Sequence, residues 1–179
     1  YDKEGLVGSD TGVFVGVSHS GFADIIEASE EVSPYSATGA STAIVANRVS
    51  FVLGLEGPSL AIDTACSSGL VAVNSACQSL RSGECSVALV AAANVLISPS
   101  GFVATCRARM LSVDGRCKTF DHDANGYVRS EGCGAIVLRR IGDDEDLDEC
   151  SDAPPCLGII RASVVNQDGR SASLTAPSG

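Results

Sequence analysis

The sequence predicts an α/β fold built on a largely parallel sheet, and three observations carry that reading. Short apolar runs of strand length alternate with amphipathic stretches of helical length, the pattern of strands joined by crossover helices. The hydrophobic content is 45%, yet aromatic residues are 4%, Trp is absent and there are 19 glycines. Such a core is made of Val, Leu, Ile and Ala, with close approaches between backbones. The longest apolar candidate, residues 87–97, contains Asn94 and falls short of the roughly 18 residues a membrane span needs, so it reads as a buried strand.

The elements follow in order. Residues 13–17, Val-Phe-Val-Gly-Val, form a first strand, and residues 40–49 a helix. Residues 59–62, Ser-Leu-Ala-Ile, are a short apolar strand. Residues 68–81 form a second helix, with Leu70, Val73, Cys77 and Leu80 spaced along one face and Gly83 as the stop signal. Residues 87–95 read as the next strand. After a loop, strands at 134–138 and 158–165 flank an acidic stretch and run as a pair with no helix between them. The early alternation favours parallel pairing.

The most informative segment is Asp63-Thr64-Ala65-Cys66-Ser67-Ser68-Gly69. It sets Cys66 at the sharp turn between the 59–62 strand and the 68–81 helix. Small flanking residues let the backbone bend and expose the side chain, which is the logic of a nucleophile elbow. A thiol opening a helix feels the positive end of the macrodipole, which favours the thiolate. Free backbone N–H groups at the same place can stabilise an oxyanion on a bound thioester.

This segment resembles the active-site signature of β-ketoacyl synthases, and in particular the ketosynthase domains of type I polyketide synthases. Further stretches carry the resemblance in order: Thr11-Gly12-Val13-Phe14-Val15-Gly16-Val17, Ala46-Asn47-Arg48-Val49-Ser50-Phe51 and Gly54-Leu55-Glu56-Gly57-Pro58-Ser59. Downstream come Asp114-Gly115-Arg116-Cys117-Lys118-Thr119-Phe120-Asp121, Gly126-Tyr127-Val128-Arg129-Ser130-Glu131-Gly132-Cys133-Gly134 and Asn166-Gln167-Asp168-Gly169-Arg170. The resemblance implies a thiolase-like layered αβαβα fold, of which this chain covers most of the N-terminal half (1–160) and the start of the C-terminal half (161–179). It implies a homodimer in the intact protein, with the strand before the nucleophile near the two-fold axis.

The implied chemistry is a decarboxylative Claisen condensation. Cys66 accepts an acyl chain from a phosphopantetheine thioester, and a malonyl-type extender on acyl carrier protein then attacks it. No cofactor is expected to be held by this domain, since the substrates travel on the carrier's phosphopantetheine. In the family, two histidines assist the decarboxylation, from motifs of the form Glu-x-His-Gly-Thr-Gly-Thr and Lys-x-Asn-x-Gly-His. Neither motif occurs in this sequence, which is therefore expected to be a fragment, inactive alone. Two other classes remain in view: a non-catalytic, chain-length-factor-like partner in a condensing heterodimer, and a cysteine hydrolase with His19 or His122 as base.

The remaining titratable groups have plainer readings. His19 and His122 are ordinary polar residues, and Cys77, Cys85, Cys106, Cys117 and Cys133 are core thiols. Eight cysteines with no C-x-x-C spacing argue for a reduced interior, without a zinc ribbon, and Cys150 with Cys156 would close a disulfide only in an oxidising compartment. Asp121 to Gly126 imitates the start of a calcium loop, but position twelve is Gly132, so no metal is expected. The net charge of −10 argues against a nucleic-acid footprint. Six of the acids fall within residues 142–149, a solvated loop that would repel an acidic carrier protein. Docking is expected elsewhere, near Arg81, Arg107, Arg109 and Arg116. A cytoplasmic location is expected. Departures from the family pattern are Gly69 for a third Ser, Asn74 for His, and Ala92-Ala93 for Gly-Gly.

Overall fold

The computed structural model describes residues 3–18, 21–29, 32–141 and 156–173. Residues 1–139 form one compact unit and 140–179 another, and each is described by itself. In the first unit the chain runs α1 (Lys3–Leu6), β1 (Gly12–Val17), α2 (Phe22–Ser29), α3 (Ser36–Ala40), α4 (Ala43–Leu53) and β2 (Ser59–Ile62). A 3-10 turn (Ala65–Ser67) then leads into α5 (Ser68–Ser82), β3 (Val87–Asn94), α6 (Ser100–Arg107) and β4 (Gly132–Arg139).

The four strands make one sheet in the order β2-β1-β3-β4. β1 pairs in parallel with β2 and β3, as the alternation predicts, while β4 closes on β3 antiparallel, with Val90 opposite Ile136. Because side chains alternate across a strand, β1 supplies both faces of the core. Phe14 points with Ala88 and Val90 at Ala72, Ala76 and Leu80 of α5. Val13 and Val15 point the other way, at Ala46, Val49 and Leu53 of α4. Helix, sheet and helix thus form three layers, with the buried Phe14 and Val13 at the centre.

Two glycines in the left-handed conformation end the packing helices: Gly54 (φ 69°) closes α4 and Gly83 (φ 77°) closes α5. Both do what a residue without Cβ does at that position. The end of β3 is tied to the approach to β4, where Asn94 donates to the Ser130 carbonyl (2.5 Å) and the Leu96 N–H donates to Glu131 (2.8 Å).

Several sequence expectations change. The helix expected at 40–49 is two helices, because Ser41 is extended (ψ 121°), and α4 then continues to the stop supplied by Gly54. Residues 158–165 take no regular secondary structure and form no ladder among the described residues, and Leu157 is 98% exposed. Apolar alternation supplies a face for a strand, not a partner, and the pairing expected with 134–138 is made by β3 instead. Leu70 is 77% exposed, because the buried stripe of α5 runs through Ser68, Ala72, Ala76 and Leu80 and leaves Leu70 on the far side. Cys77 and Cys85 are buried as expected, but Cys106, Cys117 and Cys133 are exposed. They lie on α6, in an irregular stretch between two turns and at the start of β4, where no second layer covers them among the described residues.

Candidate active site

The site begins where β2 ends. Its parallel pairing to β1 delivers the chain to the same C-terminal end of the sheet as Gly16 and Val17, and Asp63 and Thr64 carry it over. Ala65 then adopts φ 56°, a left-handed angle that costs an alanine of order 1–3 kcal/mol and persists only if its surroundings enforce it. Cys66 sits at the crest of the tight turn that follows, and its side chain is exposed. The strand, tight turn and helix expected around Cys66 are present, with one refinement: Cys66 lies in the 3-10 turn, two residues before α5 starts.

Hydrogen bonds from small polar side chains hold that turn. The Ser68 hydroxyl accepts from the Thr64 N–H (2.9 Å) and donates to the Ala65 carbonyl (2.6 Å), so one buried hydroxyl clasps the chain on both sides of the bend before Cys66. Asp63 accepts from the Ala65 N–H (2.9 Å), and Ser18 donates to its other oxygen (3.4 Å). The Ser67 hydroxyl donates to the Thr64 carbonyl (2.9 Å) and lies 2.8 Å from the Thr64 hydroxyl. The signal for this clasp was the run of Asp, Thr and Ser around Cys66, but its partners were not legible, since such residues bond locally in many patterns.

Backbone approaches from below set the height of the turn. A Cβ at Gly16 would lie 2.5 Å from the Gly69 nitrogen and 2.6 Å from the Ser68 carbonyl carbon. The strand can support the first turn of α5 at that range only as glycine. The fifteen residues of α5 direct their N-terminal dipole at the Cys66 turn.

The other sequence candidates lie apart from this arrangement. His19 and the acidic stretch 142–149 are outside the described residues, as is Cys150; Cys156 is a free thiol. His122 is exposed between Asp121 (3.2 Å) and Asp123 (3.1 Å), and Asp121 accepts from the Asp123 N–H. Nearby, hydrogen bonds from Lys118 and Asn125 hold the Asp114 carboxyl below the usual carboxylate range. Arg81, Arg107, Arg109 and Arg116 are all exposed.

Comparison with known proteins agrees with this geometry. The model of the β-ketoacyl synthase N-terminal domain matches residues 1–143. The hybrid PKS-NRPS synthetase pvhA of Talaromyces variabilis is 48% identical over 180 residues, covering 98% of this chain and 4% of that protein. Erythronolide synthase EryA3 of Saccharopolyspora erythraea is 42% identical over 178 residues, covering 99% of this chain and 6% of its own length. Among solved structures, the ketosynthase from module 6 of the bacillaene synthase of Bacillus subtilis 168 matches with a TM-score of 0.85 at 38% identity, over 99% of this chain and 29% of that one. The chain thus spans a small part of each relative's length. It belongs to the β-ketoacyl synthase family, carrying that family's N-terminal domain on the thiolase-like fold of the polyketide synthase ketosynthases.

Proposed function

We propose that these residues are the acyl-accepting part of a polyketide synthase condensing domain, with Cys66 as its nucleophile. The observation that carries the reading is the exposed Cys66 on a strained, clasped turn at the head of α5, in a chain of this family. In the first half-reaction the Cys66 thiolate attacks the carbonyl carbon of an acyl-phosphopantetheine thioester. A C–S bond forms, the oxygen takes the negative charge, and collapse expels the pantetheine thiolate. In the second, a malonyl-type extender on acyl carrier protein loses carbon dioxide, and its enolate carbon attacks the Cys66 thioester. The new C–C bond forms as the Cys66 thiolate leaves, and the chain is two carbons longer. Cysteine suits both halves because a thiolate is a good nucleophile and a good leaving group.

The rest of the reading follows from the same placement. Carrier protein docks near the exposed Arg81, Arg107, Arg109 and Arg116, since the charge of the 142–149 sequence would repel an acidic carrier. Residues 161–179 begin the C-terminal half of the condensing domain. The intact domain is a homodimer; β2 is an edge strand of this sheet, which supports a second copy meeting it there. Location in the cytoplasm belongs to the same reading, and among the described residues no helix is long and apolar enough to cross a membrane.

The test is Cys66→Ala in the intact synthase that carries this domain. Chain extension from carrier-bound malonyl units is expected to fall about 10³-fold or more, as when a covalent nucleophile is removed. Retention of the wild-type rate would rule Cys66 out.

A further inference from the structure

Gly69 and Ala92 compete for one space behind the Cys66 turn. Gly69 is the second residue of α5. Ala92 lies on β3, on the face that α5 covers, level with Gly16 on one side and Gly134 on the other. A Cβ at Gly69 would stand 3.0 Å from the Ala92 Cβ, closer than ordinary van der Waals contact. Neither side has room to give. Ala92 belongs to a strand hydrogen-bonded along both edges, so its methyl is fixed by the sheet. The first turn of α5 already rests on Gly16, with the Gly69 nitrogen only 2.5 Å from where a Gly16 Cβ would be. A displaced helix start carries Ser68 with it, and the Ser68 hydroxyl is the clasp on Thr64 and Ala65.

We propose that Gly69 and Ala92 are a matched pair of positioning residues: the gap between α5 and β3 holds one methyl group, and that occupancy sets where Cys66 stands. The proposal rests on the reading of Cys66 as acyl acceptor. A second methyl asks the helix start to move by a few tenths of an ångström, on the scale where a misplacement of about 1 Å costs about 10²-fold in rate. Helix propensity acts in the opposite direction, since alanine is a better helix former than glycine. A purely structural role for Gly69 therefore predicts no loss of rate when it is replaced by alanine.

The experiment uses the intact synthase as wild type, Gly69→Ala, Ala92→Gly and the double variant. Transfer of acetyl from its N-acetylcysteamine thioester to Cys66 is followed by mass, on protein taken from the folded size-exclusion peak so that unfolded protein does not count. Gly69→Ala is expected to be about tenfold slower at saturating thioester, with the half-saturating concentration unchanged, and the double variant to return to within about twofold of wild type. If Gly69→Ala does not fold, Ala92→Val presses the same space from the strand side and is expected to be slow in its place. A double variant as slow as Gly69→Ala, or Gly69→Ala as fast as wild type, overturns the pairing. Alkylation of Cys66 by iodoacetamide in the same four proteins reads the pairing independently of acyl transfer. Wild type that alkylates at Cys66 but takes no acetyl overturns the acyl-acceptor reading, while the order of alkylation rates still decides the pairing.

Discussion

Ala65 and Cys66 show how a strained residue is held in place by its neighbours. The left-handed angle at Ala65 turns the chain so that Cys66 faces outward, and the Ser68 and Asp63 bonds offset its cost. Cys85 is the contrasting thiol. It is buried beside Gly12, and burial pushes its pKa up, with Asp10 and Glu84 adding to the rise and a backbone hydrogen bond from Gly12 opposing it. Because the raised value belongs to the fold, its contribution to stability is complete below the ordinary thiol range and is lost as pH rises through the folded value. Unfolding midpoints are therefore expected to fall on the alkaline side of about pH 8.5, and Cys85→Ala to flatten that fall. In native protein, iodoacetamide is expected to label Cys66 early and Cys85 only on unfolding; prompt labelling of Cys85 would contradict its placement. Cys66 was legible because strand, small-residue turn and helix signals converge on it. The exposure of Cys106, Cys117 and Cys133 was not, since burial depends on what packs over an element and not on its own residues.

At the scale of elements, β1 and α5 are the pair that matters. Gly16 lets them touch backbone to backbone, and a methyl there meets main-chain atoms that cannot rotate away. Gly16→Ala is expected to destabilise this domain by about 1–3 kcal/mol, the range for overpacking a tight core, read as a lower urea midpoint with unchanged slope. An unchanged midpoint would mean that the approach is looser than the structure shows. The alternation of strand and helix was legible, and so were the positions of β1, β2, α5 and β3. The break at Ser41 was not, because residues 36–53 carry helix-compatible residues on both sides of it. The two departures at Gly69 and Ala92 were visible separately in the sequence. That they touch is a property of tertiary packing, invisible to spacing along the chain.

At the scale of the whole compact unit, residues 1–139, one sheet with α4 and α5 on opposite faces places the exposed Cys66 turn at the C-terminal end of β1 and β2. The core is small and, around the buried aromatic Phe14, aliphatic, and its coverage is uneven. Leu6, Leu53, Leu55, Val87, Leu89 and Val137 border an apolar hollow of about 210 Å³, where α4 gives way to the β3 and β4 side of the sheet. Phe51 of α4 is 88% exposed. The resemblance stated the fold and chemistry at once, because several motifs occur in one order, whereas composition and charge only narrowed the class. The account turns on Cys66 taking the acyl group, and peptide mapping after incubation with an acyl-pantetheine thioester tests that most directly. It predicts one acyl mass on the peptide containing Cys66, absent from Cys66→Ala. Acyl groups spread over Cys106, Cys117 and Cys133 with none on Cys66 would contradict it.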